Sequence, residues 1–261
     1  MNPSVPNRAC SSGQKSESII HILSHRRCMD RVEELKREAG ITACSFVRNG
    51  MRIGLGTGST VKYTVIEIGR MISDEGLEVI GVPTSEVTKE LAQSLGIPLA
   101  TLEEAAPLDI TIDGADEFNP DFHLIKGGGG ALTREKRVAA KSEAMVVVAD
   151  DRKQVTTLGA FDLPLEVDKK DWQRVFAELQ DICPGQVILR GGNSPYVTDN
   201  DGYILDCQFG STITDPALLE NQIKSIEGVV EVGLFIGMCD AVVMASSSGV
   251  STLLKQGGRL D

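Results

Sequence analysis

"MRIGLGTGSTVKYTVIEI", Met51 to Ile68, joins two periodicities across one glycine-rich turn. The short apolar run that ends at Gly56 reads as a buried strand. Beyond the turn Val61, Val65 and Ile68 recur at helical spacing and Ile72 continues the face, so residues 60–75 read as an amphipathic helix. The same unit recurs along the chain. "LEVIGVP" (77–83) is a strand, and "EVTKELAQSLG" a helix closed by Gly96. "LDITID" (108–113), "FHLIK" (122–126) and "MVVVAD" (145–150) are further strands, with a helix over about residues 131–143 between the last two. Upstream, residues 31–50 read as a helix with Leu35, Ala39, Ala43 and Phe46/Val47 on one face. Strands alternating with helices, and β-branched in composition, imply an α/β fold: a Rossmann-like open, mostly parallel sheet covered on both faces.

The pattern changes after Gly159. "LPLEV", "GQVILR" and "YVTDNDGYILDCQF" read as strands, the last stretch as a hairpin turning at Asn200–Gly202. Helices at 171–182 and 215–228 intervene. "LFIGMCDAVVMAS" (234–246) then reads as buried strand again. The expected organisation is an α/β domain made of residues 31–158 plus 235–255, a smaller α+β domain inserted at 159–234, and a disordered extension over residues 1–30.

Composition narrows the function classes. The 261 residues are 41% hydrophobic and 24% charged, ordinary for a globular chain with a sizeable core. No apolar run approaches the ~18 residues needed to span a membrane. A net charge of -11 argues against a general binder of nucleic acid or anionic membrane. A local cluster of lysines could still hold a small anion. Residues 1–52 carry nine Lys/Arg against five Asp/Glu, and Glu17 is the only acid among the first 27. That serine-rich basic start faintly resembles an organellar transit peptide; an untargeted extension fits as well, and a cytoplasmic location is expected. Six scattered cysteines without a C-x-x-C, and three histidines, offer no zinc spacing and suit a reducing compartment. Neither metal nor cofactor is expected.

Three stretches carry chemistry. "GLGTGST" (54–60) lies between strand and helix, where backbone amides and the helix dipole hold anions. It lacks the Gly-Lys-Ser/Thr of a Walker loop and the third glycine of G-x-G-x-x-G. The next strand ends in Pro83-Thr84-Ser85 rather than a ribose-binding acid, so a monophosphate fits better than a dinucleotide. A tight turn capped by Ser59 or Thr60 would also explain the stretch. "TIDGADE" (111–117) places Asp113 at the carboxyl end of a strand, the ligand side of open α/β sheets. Gly114 lets the turn bring Asp116 to the same crevice. This pair could hold a metal, handle sugar hydroxyls and their protons, or decorate a helix start. "KGGGGALTREK" (126–136) places Lys126 before four glycines whose entropic cost packing rarely recovers. Lys126 could neutralise an oxyanion. Glu135 could point back over the loop, or belong to a solvated "REK" helix face. Its helix-start position would lower its pKa and burial would raise it; the sequence leaves that competition open. A phosphate clamp, a lysine and several carboxylates together suit proton abstraction beside a sugar carbonyl, without a redox cofactor.

These stretches, with "GLFIGMCD", "EELKREAG", "LPLEV" and "YVTDNDGYILD", resemble ribose-5-phosphate isomerase, type A, over roughly residues 31–250. The resemblance implies interconversion of ribose 5-phosphate and ribulose 5-phosphate in the non-oxidative pentose phosphate pathway, without a metal. Matched residue by residue, Glu135 would be the proton-transferring base. Asp113 and Asp116 would serve ring opening and hydroxyl contacts, with Gly114 and Ala115 between them. Lys126, Gly127, Gly128 and Gly129 would bind substrate, as would Thr57, Gly58, Ser59 and Thr60. Lys153 in "DRKQV" would add a further lysine, with Lys36 as another. A homodimer or homotetramer is implied. The hairpin reads "TDNDGY" where the family more often has "TDNGNY", a turn exchange away from the chemistry. The rival reading is a non-catalytic sugar-phosphate sensor on the same fold, although residues 1–50 show no clear DNA-binding helix pair. A deaminase or acyl-carrier transferase on a related fold has no nucleophile signal to support it.

Overall fold

The computed structural model describes residues 31–260, so the extension and targeting readings of residues 1–30 lie outside the described residues. Residues 31–43 (α1) are helical, and a 3-10 turn at Cys44–Phe46 ends the expected 31–50 helix early. β1 (Arg52–Leu55) leads through the glycine turn to α2 (Lys62–Glu75). β2 (Ile80–Pro83), α3 (Glu86–Ser94) and the short α4 (Leu102–Ala105) follow. β3 (Leu108–Gly114), β4 (Glu117–Phe118), β5 (Leu124–Ile125), α5 (Leu132–Ala140) and β6 (Ser142–Asp150) complete the first run. Next come β7 (Leu163–Val167), α6 (Trp172–Gln180), β8 (Val187–Leu189), β9 (Tyr203–Cys207), α7 (Pro216–Lys224) and β10 (Val229–Val232). β11 (Leu234–Phe235), β12 (Ala241–Ser246) and β13 (Gly249–Leu254) close the chain.

The main sheet has the order β13-β12-β6-β3-β1-β2, parallel throughout except for the edge strand β13, which is antiparallel to β12. This is the mostly parallel α/β architecture that the βα alternation predicts. Strand periodicity explains why its centre is apolar on both faces. Along β6, Ala144, Val146 and Val148 enter one core with Ile53, Ile110 and the α2 residues Val65 and Ile68. Met145, Val147 and Ala149 enter another with Phe118, Phe235 and Val242.

Two smaller sheets are antiparallel, β10-β7-β9-β8 and β11-β5-β4. "FHLIK" therefore contributes only Leu124–Ile125, and to a small separate sheet rather than to the parallel one. The 234–246 run is two strands, not one. Gly237 takes a φ of 66° between them, and β11 pairs with β5 while β12 pairs with β6. The hairpin before β9 keeps its turn, with Asp201 at φ 64°, but its first arm is reduced to one bridge, Val197 to Tyr203. Among the described residues no helix is long and apolar enough to cross a membrane.

Candidate active site

The carboxyl ends of β1, β3 and β6 are adjacent, and the loops leaving them line a cavity of about 240 Å³. Its walls include Lys36, Thr57–Thr60, Gly114–Asp116, Lys126, Gly127, Gly129, Glu135 and Lys153. Gly128 lies on the far side of its loop. A larger cavity of about 480 Å³ between α3, α4 and α5 carries Arg134 and Arg137 but none of the buried carboxylates.

At the floor, the Lys126 ammonium is 3.1 Å from Asp113 Oδ2 and 3.2 Å from Glu135 Oε2. All three side chains are at least 95% buried. Lys126 also donates to the Gly114 carbonyl. Asp113 Oδ1 accepts from the amides of Thr57 (3.0 Å) and Gly114 (2.7 Å). The partner oxygens facing Lys126, Asp113 Oδ2 and Glu135 Oε2, receive no well-aligned hydrogen bond. They are held by charge at close range rather than by directed donors. Gly56 makes this floor possible, since a Cβ there would lie 2.3–2.4 Å from Asp113 atoms.

The charges shift accordingly. Burial pushes the Glu135 carboxyl up, Asp113 adds like-charge repulsion, and Lys126 only partly offsets both, leaving its pKa at about 8. Burial likewise raises Asp113 against the pull of Lys126. Lys126 is opposed by burial, but Asp113, Glu135 and Asp116 overcome it and hold the ammonium firmly protonated. One cation between two carboxylates can therefore keep a positive charge at the floor while one carboxylate carries a proton.

At the other end, Val61 stands at the N-cap of α2 and supplies no side-chain cap. Ser59 and Thr60 thus do not cap the helix, and their amides find no acceptor among the described residues. Lys36 Nζ donates to Ser59 Oγ at 3.2 Å. The Lys153 ammonium lies 5.6 Å from the centroid of the Phe161 ring. Uncapped amides, hydroxyls and two lysines make an anion pocket. Asp116 turns inward and accepts from Gly128 N at 2.7 Å.

Sequence reasoning missed several contributors. Thr57 Oγ1 sits within 2.7–3.0 Å of the hydroxyls of Ser85, Thr84 and Thr88. The "PTSEVT" stretch thus supports the loop; a run of hydroxyls at a strand–helix joint was the available signal. Arg152 and Asp150 also line the cavity, joined by bonds of 2.8 and 2.9 Å. Arg190 donates to the carbonyls of Gly127 (3.0 Å) and Gly128 (3.2 Å), and Tyr196 to that of Gly129 at 3.3 Å. No local pattern links positions 60 residues apart.

A family model described as ribose 5-phosphate isomerase A (phosphoriboisomerase A) matches residues 80–249. The ribose-5-phosphate isomerase A of Synechococcus sp. (strain JA-3-3Ab) is 47% identical over 228 residues, covering 86% of this chain and 99% of that protein. The structure of ribose 5-phosphate isomerase A from Methanocaldococcus jannaschii is 41% identical and superposes with a TM-score of 0.80, over 85% of this chain and 99% of that one. A D-ribose-5-phosphate isomerase solved in complex with phospho-erythronic acid is 37% identical with a TM-score of 0.82, over 85% and 99% of the two chains.

Proposed function

The chain belongs to the ribose 5-phosphate isomerase A family, and we propose that it interconverts ribose 5-phosphate and ribulose 5-phosphate by proton transfer at the Asp113–Lys126–Glu135 cluster. The observation that carries this reading is the buried cluster itself, an ammonium wedged 3.1 and 3.2 Å from two carboxylates at the floor of a pocket whose mouth suits a phosphate. Lys36, Ser59, Thr60 and Lys153 hold the phosphate, with Thr57 and Gly58 shaping the loop. Asp113 and Asp116 assist ring opening and engage hydroxyls alongside Gly114 and Ala115. In the open chain Glu135 takes the proton from C2 and returns it to C1 on the same face while the O2 hydroxyl proton passes to O1, so no net proton is consumed. Lys126 and the glycines after it stabilise the oxygen of the enediolate between those steps. A carboxylate held above its ordinary range is a stronger base once ionised, which suits a carbon acid. A sugar-phosphate sensor has no use for such a group, and that reading is not favoured.

Purified protein should convert ribose 5-phosphate to ribulose 5-phosphate, followed by NMR of the sugar. Free ribose should be a very poor substrate, because binding energy at the phosphate orients the reacting end. Tight binding without turnover would support the sensor instead. Equal kcat/KM for both sugars would remove the phosphate clamp.

Two features of organisation are proposed alongside. Residues 159–234 act as an inserted unit, supported by the separate four-stranded sheet and its own core around Leu165, Val175 and Leu205. A homodimer or homotetramer, implied by the resemblance, is read out by light scattering.

A further inference from the structure

The glycine loop divides two cavities. Gly127 and Gly129 line the active-site side, while Gly128 faces a second cavity with Phe161, Arg190 and Asp206. Arg190 stands at the end of β8 on the four-stranded sheet, and Asp206 lies on the neighbouring β9. Its guanidinium is gripped by both carboxylate oxygens of Asp206, at 2.9 Å through Nε and by a second bond through Nη2. This leaves Nη1 aimed at the carbonyls of Gly127 and Gly128.

A planar trans peptide points its C=O and its N–H in opposite directions. Drawing the Gly127 carbonyl to Arg190 turns the next amide, Gly128 N–H, to the pocket side, where it donates to Asp116 Oδ2 at 2.7 Å. Drawing the Gly128 carbonyl to Arg190 must turn Gly129 N–H the same way. That amide has no acceptor among the described residues. A Cβ at Gly129 would meet nothing within 4 Å, so the backbone there borders open space. Tyr196 holds the following carbonyl, and the Gly130 amide closes back on Gly127 O at 2.9 Å. One amide in the loop is therefore oriented to the pocket and unspent.

We infer that Arg190, clamped by Asp206, is a positioning residue that turns the Gly129 amide into the pocket as a donor to the substrate oxygen on which charge develops. This rests on the isomerase reading above. The cation sets the loop's direction and polarises both peptide units through their carbonyls, without touching the substrate. The role belongs to the transition state, because the oxygen gains charge only there.

The test is steady-state turnover of ribose 5-phosphate by Arg190→Ala and Asp206→Asn, beside the wild-type chain and with thermal melts of each. Arg190→Ala should lose at least ~tenfold in kcat, as a misplaced donor does, with KM within about threefold. Guanidinium ion at tens of millimolar should restore part of that kcat without raising the melting temperature. Asp206→Asn, which keeps the cation but loosens its clamp, should show a smaller loss of the same kind. A folded Arg190→Ala within about threefold of wild-type kcat overturns the proposal, as does a defect confined to KM. If Arg190→Ala does not fold, wild-type kcat in Asp206→Asn overturns it alone. A wild-type chain without turnover would overturn the isomerase reading itself, and this proposal with it.

Discussion

Glu135 lies in the first turn of α5, where peptide dipoles favour an ionised carboxylate. It is also only 4% exposed, and loss of hydration outweighs the dipole. The outcome has a kinetic signature. A general base acts in its unprotonated form, and kcat/KM reports the free enzyme. With the Glu135 pKa raised to about 8, kcat/KM should climb with pH through the neutral range and level off above it. A profile flat between about pH 5 and 7 would mean that the working base ionises at ordinary carboxylate pH and is not Glu135. The residue type and its place after the glycines were legible in the sequence; its burial was not. "REK" has the composition of a solvated helix face, yet each member has its own destination. Arg134 reaches Glu86 and Asn200, Glu135 faces Lys126, and Lys136 is buried against Glu220 and Glu231. Those partners come from elements brought together only by the tertiary fold.

At the scale of elements, the loops after β1, β3 and β6 supply the site together with the segment from Lys126 into the first turn of α5, and the βα alternation is written in local periodicity. What escaped is short or non-local. α4 and β4 have too few residues to show a period, and β10 fell in the unassigned gap between the expected 215–228 helix and the 234–246 strand. The 234–246 run looked continuous because both its strands are apolar. The joint between β2 and α3 was read only for the acid it lacks, whereas Ser85 caps α3 by accepting from Thr88 N and also meets Thr57. Thr88 further donates to the Gly56 carbonyl at 3.0 Å. Thr88→Val keeps the volume and removes that hydroxyl. It should raise KM for ribose 5-phosphate roughly three- to tenfold, the ~1 kcal/mol of one hydrogen bond or slightly more, with kcat nearly unchanged. A fall in kcat at constant KM would place the hydroxyl cluster with the chemistry rather than with the phosphate.

Across the whole molecule, the site is a local electrostatic cost within a well-packed α/β body. Glu135 binds its proton more tightly when folded than its ordinary value of 4.5 allows in the open chain. Between those two values the native state holds more protons than the unfolded one, so this group's contribution falls as pH rises from about 4.5 to about 8. Glu135→Gln removes the excess carboxylate and leaves Lys126 paired with Asp113. The variant should therefore melt higher than wild type above pH 8, by about 2–4 °C for ~1 kcal/mol in a chain of this size, with no gain in strong acid. The same substitution should remove the base, at a cost of roughly 10²–10⁴ in rate. The most direct measurement is kcat of Glu135→Gln in both directions, from ribose 5-phosphate and from ribulose 5-phosphate. A loss of that size in both directions with KM little changed is expected; a variant within about threefold of wild type would contradict Glu135 as the base and return the search to Asp113 and Asp116.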